Sequence, residues 1–590
     1  MSGLVVVECG NVWSRAAVWE ACGDDLRLLH REQVLSVGRG ALRAALGELF
    51  RRVGVDHRCP RVGVVKAHGA LRAAVSGVIR DISADSAIRA AYRAGARVVE
   101  TFAVDDQRSP HQRARLLKSS TIDLLVMAGG VDEGLLEGGG GQQVVQMARV
   151  LAEALPPARF DGGMPVPVVF AGSAQLRDEV TRVLGERTQV RVVDNVRPAM
   201  ERENPEPLQN ALLEFFRQQV VPRDPCYRAL AEAGIQHVSP LGYPLGLFCR
   251  HLATERGEDV LLVDAGAESV DVYSVIKGNL NRSTYAWDTD QQGLPLDMGE
   301  VERAARWLPF PADAEAVADV LANARLRPCT VPGNQDEGLL RDALLREQLA
   351  RALQLHSRVA RELKGIQRRR TISEILGAYQ VVGGQTLVDM MRIRSVVLTG
   401  GALARPEAAG AVCLSVLDGL QPTGITHLWM DADDILGLLS GLYLTDWSAR
   451  AARNPSRWLR SMGTVVAPKT KSGWWQTLLG GALGRVTLET PEGTVRRVVR
   501  FGELVTVPLR EGETAILRVR PAPGVDFGSG PGQPHTDLVL GGLVGVVLDG
   551  RGRPLLLPTS PEQRREDARK WMSSLAAYSD QVISKRRWTG

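Results

Sequence analysis

Cysteine is scarce: 7 among 590 residues, scattered and odd in number (Cys9, Cys22, Cys59, Cys226, Cys249, Cys329, Cys413). That argues against a disulfide framework and for reduced thiols, so a cytoplasmic location is expected. Long apolar runs are missing too. None approaches the roughly 18 residues a membrane helix needs, so no transmembrane segment is expected. The opening run is short, lacks a basic lead-in and contains Glu8, unlike a signal peptide. Aromatics are few, at 5%, and a net charge of +5 over the whole chain is a weak field. The basic clusters Arg51-Arg52 and Arg368 to Arg370 stand apart with little aromatic company, whereas a nucleic-acid binder usually carries a concentrated stripe. No nucleic-acid partner is expected. The segment "DHRC" offers His57 and Cys59 but no second pair at ligand spacing, which argues against a zinc site. No Ser/His/Asp or Cys/His relay can be asserted from spacing.

What is present is alternation. With 44% hydrophobic residues the chain can build several cores, and its length suggests about three or four domains. Residues 1–215 alternate short Val/Leu/Ile runs (4–7, 16–19, 61–65, 97–99, 123–127, 166–170, 190–193) with helical stretches (40–52, 83–94, 142–155, 174–184). This predicts an α/β half with a largely parallel sheet, and Ser83 reads as a helix N-cap. Residues 216–456 read as a second α/β half, with strands near 260–263, 270–276 and 396–398 and a long helix over 336–364. From 457 to 590 short Val/Leu/Thr runs separated by Pro and Gly predict a small β-rich domain ending in a helix over about 561–579. Trp474 and Trp475, in the bridging segment, are expected to pack one domain on another.

One pattern occurs twice. "LVVVECGNVWSRAAVWE" (4–20) and "VLLVDAGAESVDVYSVIKG" (260–278) each end an apolar run on acid-x-Gly and then resume a strand. A glycine-tipped hairpin lets main-chain N–H groups approach phosphate oxygens, and a hydroxyl a few residues on can add a bond. A carboxylate there is suited to a hydrated Mg²⁺ or a water. A plain strand-turn-strand has the same composition. Two hairpins at the same place in each half are a stronger sign, and "SVVLTGGALAR" adds Gly400-Gly401 at the end of a buried strand, where the backbone can pass close to a nucleoside. The acids Asp431, Asp433 and Asp434 are read as the acidic first turn of a helix over 435–444. The run Gly138 to Gly141 is either a phosphate wrap at a helix start or a surface loop.

Together these segments resemble the phosphate-1, phosphate-2 and adenosine motifs of the actin/Hsp70/sugar-kinase superfamily, and more closely the glutamate mutase L family, over about residues 1–445. "AVSGVIRDISADSAIRAAYRAGARVVETF", "DLLVMAGGVDEG", "PVVFAGSAQLRDEV" and "THLWMDADDILGLLSGL" carry the likeness in order. It implies two RNase H-like halves clasping ATP with Mg²⁺. The nucleotide site would comprise Gly10, Asn11, Ser14, Arg15, Gly266, Ser269, Asp271, Gly400 and Gly401, with Glu8 and Asp264 in the catalytic and water-mediated metal positions. It implies an accessory protein of an adenosylcobalamin-dependent mutase, a chaperone or reactivating factor and not a mutase itself. Departures from the family pattern bear on hydrolysis: Glu8 replaces Asp, Ala267 replaces a glycine, Val270 a hydroxyl residue, and Glu133 a glycine within "GGVDEG" beside Gly129, Gly130, Asp132 and Gly134. Phosphoryl transfer depends on positioning, so these departures weigh against hydrolysis and leave at most a weak ATPase. The alternatives are a nucleotide-degenerate actin-like scaffold and, less favoured, a small-molecule kinase.

Overall fold

In β1 (Gly3–Cys9) a valine-rich run is buried from Leu4 to Cys9, which a strand achieves only when both faces are covered. The computed structural model describes the chain except residues 1–2, 37–40, 55–58, 67–70, 133–139, 158–163, 236, 288–297, 328, 364, 369–378, 383, 471–480, 586 and 589–590. His57, His68, Glu133, Gly134, Gly138, Gly139, Trp474 and Trp475 therefore lie outside the described residues.

β1 continues through antiparallel β2 (Trp13–Cys22) and β3 (Asp25–Leu35), and β4 (Arg61–Val65) returns parallel beside β1. The chain then leaves this sheet to build another: β5 (Arg72–Gly77), β6 (Arg97–Ala103), β7 (Leu124–Met127), β8 (Val168–Phe170) and β9 (Val190–Val192) pair in parallel, in the order β6-β5-β7-β8-β9. Only afterwards does β10 (His237–Pro240) close the first sheet beside β4. The largely parallel sheet expected over 1–215 is thus two sheets, one mixed and one wholly parallel. The second is inserted between the last two strands of the first. Helix-strand alternation cannot distinguish these arrangements, because strand propensity carries no direction.

The second half repeats the first. β11 (Val260–Ala265), β12 (Ser269–Ile276) and β13 (Asn279–Ala286) are antiparallel; after a short hairpin, β14 (Gly365–Arg368) and β15 (Tyr379–Val382), parallel β16 (Ser395–Thr399) and β17 (Gly424–Met430) follow beside β11. The strand order is third-second-first-fourth-fifth in both halves. β18 (Arg460–Ala467) adds to β17 without a break; β19 (Lys469–Thr470) leads on to β20 (Ala482–Thr490), β21 (Gly493–Arg500), β22 (Leu504–Val507), β23 (Thr514–Pro521), β24 (Val525–Asp526), β25 (His535–Leu540) and β26 (Gly545–Asp549). β20, β21, β23 and β25 form a separate antiparallel sheet, while β26 and β22 extend the large sheet to eight strands. The change in texture near residue 457 is therefore not a sheet edge. The helix Pro561–Ser574 folds back onto the second half, burying Trp571 and Met572 in its main core.

Between the two repeated sheets lie the helices Gly242–Arg256 and Leu436–Gly441. Together with Val6, Ala17, Trp19, Leu262, Tyr273 and Val397 they form one core shared by both halves. Ser83 does not cap the helix Asp85–Arg93: a π-turn over Arg80–Ala84 precedes that helix, and the Ser83 hydroxyl accepts from Val78 and Ile79 N–H instead.

Candidate functional site

Each acid-x-Gly makes the same turn. Gly10 N–H donates to Trp13 O at 3.0 Å and Gly266 N–H to Ser269 O at 2.9 Å. The register then pairs Glu8 with Arg15 and Asp264 with Asp271. Strand side chains alternate, so these four face the shared core along with Val6, Ala17, Leu262 and Tyr273. Both hairpins thus aim their acids at the interlobe space.

Lys66, just past β4, crosses that space. Its Nζ donates to Asp264 Oδ2 at 2.6 Å and lies 3.3 Å from Asp271 Oδ2. Asp271 is further held by Arg282 (2.8 Å) and the Thr284 hydroxyl (2.6 Å). On the other side Arg15 contacts Glu8 at 3.3 Å and pairs with Asp434. Asp434 sits at φ 48°, in the left-handed region, an uncommon conformation for a residue other than glycine. Cations of the first lobe thus meet acids of the second at two points. The enclosed space beside Lys66, bordered by Asn11, Ser269 and Arg282, is only about 40 Å³, room for a water or so.

Burial sets the protonation tendencies. It pushes the Asp264 carboxyl above the usual carboxylate range, an effect tempered by Lys66 and reinforced by Asp271. Burial opposes ionisation of Asp271 as well, yet Arg282 and Lys66 bring it below that range. Glu8 is raised by burial against the pull of Arg15, with Asp434 and Asp264 adding to the rise. Asp431, fully buried, is pushed up to about 7 by burial and then by Asp434, despite N–H bonds from Ile435 and Leu436 and the Thr399 hydroxyl at 2.7 Å. Those two N–H bonds satisfy donors where the helix Leu436–Gly441 begins, but the helix has no acid in its first turn and Ile435 at its N-cap, so Asp431, Asp433 and Asp434 precede it and do not form its first turn.

Of the residues singled out in the sequence, Glu8, Gly10, Asn11, Arg15, Asp264, Gly266, Ser269 and Asp271 gather at this cleft. Gly400 joins them: at φ +84°, a Cβ there would strike the Asp264 carboxylate and the Ala265 carbonyl. Gly401 beside it faces open space. Ser14 does not reach the cleft. Its register partner is Cys9, and its hydroxyl is buried against Ser36 Oγ at 2.8 Å. Val270 holds the same position in the second hairpin and is likewise in the core, so the hydroxyl missing there is not a missing cleft contact. Gly129, Gly130 and Asp132 belong to the inserted sheet, where Asp132 caps Ala174 N–H at 2.7 Å. Among the described residues no group of three or more His, Cys, Asp or Glu is placed to hold a metal.

Lys66, Arg282, Thr284 and Asp434 were not read as site residues from the sequence. Two signals were available: Asp434 stood in the acidic cluster assigned to a helix start, and Lys66 is a lysine at a strand end in a chain whose cations are overwhelmingly arginine. Glu8 also gains an explanation. Gly437 has no Cβ, and one there would strike the Glu8 carboxylate, so the longer side chain occupies room that this glycine leaves.

Two mixed sheets of identical strand order, with acid-x-Gly hairpins turned toward one shared space, define the two-lobed fold of the actin/Hsp70/sugar-kinase type. A family profile described as MutL protein matches residues 4–452. The chain belongs to that family, the glutamate mutase L family of the sequence resemblance. It is 22% identical over 420 residues to Protein MutL of Clostridium tetanomorphum, spanning 67% of this chain and 84% of that one. Among solved structures it is similar to a nucleotide-free acetone carboxylase (TM-score 0.31, 11% identity, 84% of this chain and 81% of that one). It is also similar to component A of (R)-2-hydroxyglutaryl-CoA dehydratase from Acidaminococcus fermentans (0.26, 8%, 76% and 99%) and to a glycerol dehydratase reactivase (0.26, 9%, 70% and 94%). At such scores the fold rests on strand order and register.

Proposed function

We propose that this chain is a nucleotide-binding accessory protein of an adenosylcobalamin-dependent mutase, acting as a chaperone or reactivating factor. ATP with Mg²⁺ would bind between the lobes, and lobe opening would change affinity for the partner. The observation that carries this reading is the pair of matched hairpins facing one space, with Lys66 reaching from one lobe to the acids of the other. Family membership and the resemblance to glutamate mutase L support the mutase partner.

The donor set suits a magnesium nucleotide. Lys66 and Arg15 supply phosphate-seeking cations, Glu8 and Asp264 supply carboxylates for a hydrated cation, and Gly401 leaves the approach to the second lobe open. Magnesium, when bound, would neutralise phosphate charge. In the arrangement described here Lys66 is spent on Asp264 and Asp271, and the space beside it is too small for a phosphate chain. Entry of a nucleotide would therefore require the interlobe ion pairs to yield. A ligand that prefers the parted state shifts the lobes toward it by its differential affinity.

Titration of the purified protein with labelled ATP and Mg²⁺ tests the reading, and no binding at millimolar nucleotide would remove it. Co-purification with an adenosylcobalamin-dependent mutase, with and without ATP, tests the partner. A second reading, a nucleotide-degenerate scaffold, is favoured by the same paired cations: a cleft whose charges satisfy one another needs no phosphate. It expects Ala267→Gly to leave ATP affinity unchanged, and a large gain would count against it.

A further inference from the structure

Along β13 the interlobe space borders a second cavity of about 560 Å³, which shares Arg97, Thr284 and Ala286 with it. This size is ordinary for a small-molecule site. The walls come from four parts of the molecule: Arg80 and Asp85 before and within the helix Asp85–Arg93, the edge strand β6, Thr284 to Ala286 on β13, and Arg358 and Arg361 at the end of the helix Gln335–Val359 and just beyond it.

The charges here differ in kind from those of the cleft. Lys66, Arg15 and Arg282 are each paired with carboxylates. Among the described residues, the guanidinium groups of Arg80, Arg358 and Arg361 form no ion pair, and the buried Arg361 Nε has no hydrogen-bond partner. Arg80 and Arg358 are exposed, whereas Arg361 carries a buried Nε donor with no partner; three like charges around one cavity repel one another, a cost that an anion would relieve. Among the described residues that line the cavity, opposing charge comes from Asp81 and Asp85. Burial raises the Asp85 carboxyl to about 6, against the pull of Arg89, with Asp81 adding to the rise and Arg361 and Arg80 opposing it. Near that pH Asp85 supplies only part of a charge.

We propose that this cavity binds a small dianion, a phosphate monoester or a dicarboxylate, through Arg358 and Arg361. The site is separate from the nucleotide position and does not depend on it. It is nevertheless adjacent to it: the Thr284 hydroxyl on its wall donates to Asp271, which also contacts Lys66.

Calorimetric titration of the full chain with inorganic phosphate, glycerol 3-phosphate and glutarate, at constant ionic strength in chloride, tests this. Arg358→Gln, Arg361→Gln and their combination are each expected to weaken binding, by roughly tenfold per guanidinium lost. Arg496→Gln, a change at an exposed arginine on β21, is expected to leave it unaltered. Arg358 is exposed, so its variant remains readable should the Arg361 change impair folding. Binding of glycerol 3-phosphate without glutarate assigns the phosphate class, and the reverse assigns the dicarboxylate. No binding of any probe at millimolar concentration, or equal losses in Arg496→Gln and the cavity variants, overturns the proposal.

Discussion

Asp264 is the residue on which the nucleotide reading turns. Asp264→Asn takes one carboxylate from the buried Lys66 but leaves it Asp271, so it should lower folding stability by about 1–3 kcal/mol. If it holds a hydrated cation, the same change should weaken ATP binding about tenfold in Mg²⁺ and have no effect in EDTA. Calorimetry in the two buffers decides; equal affinity in Mg²⁺ would remove Asp264 from the metal position. Asp431 makes a different prediction. Its folded pKa is raised from 3.8 to about 7, so the folded state holds the proton more tightly than the unfolded chain. Its contribution to stability is fully present below 3.8 and is lost as pH rises through about 7. Asp431→Asn should flatten that part of the stability profile, measured by urea midpoints across the range, besides lowering it by about 1–3 kcal/mol for the lost Oδ2 acceptor of the Thr399 hydroxyl and Leu436 N–H. A profile with an unchanged slope would contradict the assignment.

At the scale of elements, the helix Leu436–Gly441 matters through what it lacks. Gly437 and Gly441 are four apart and therefore on one face. A Cβ at Gly441 would strike Val6, and one at Gly437 would strike the Glu8 carboxylate. Gly441→Ala should cost about 1–3 kcal/mol by overpacking β1, read from a denaturation midpoint. Gly47, in the helix Ala41–Val53, has nothing within 4 Å of an added Cβ, and Gly47→Ala should be neutral or stabilising by up to about 1 kcal/mol. Comparable losses in both would mean that helix propensity, not close approach, sets the effect. In the sequence "ILGLLSGL" the helix was legible and its partner strand was not. The acid-x-Gly turns were legible as well, because their hydrogen bonds span only three residues.

For the whole molecule, Arg282 is the tie between parts. Fully enclosed, it donates to Asp271 in the second lobe and to the Tyr92 and Ala96 carbonyls (2.8 and 3.2 Å) in the inserted unit. Arg93 returns a bond from the inserted unit to the Leu280 carbonyl at 2.9 Å. Removing one partner of a buried charge pair costs about 3–5 kcal/mol, so Arg282→Met should lower global stability by that order. Hydrogen exchange should rise first in the helix Asp85–Arg93, whose last turn loses its cap. Uniform loosening of all parts would deny Arg282 its role as a tie. None of these long-distance partners was visible in the sequence, since Arg282 and Tyr92 are 190 residues apart and nothing local distinguishes either.

The family resemblance implied the two-lobed class, and the sequence by itself determined the two hairpins, their glycine turns and the acids near the ends of β1 and β11. These depend on strand propensity and on backbone geometry over a few residues. Tertiary structure alone decided that Ser14 turns to the core while Arg15 faces the cleft, and that Lys66 meets Asp264 across 198 residues. It also decided that a wholly parallel sheet interrupts the first half and that β18 prolongs the second. The reason is physical: an apolar run fixes that a strand forms, whereas its direction, its neighbours and the charge states of its flanking acids depend on what the rest of the chain places against it.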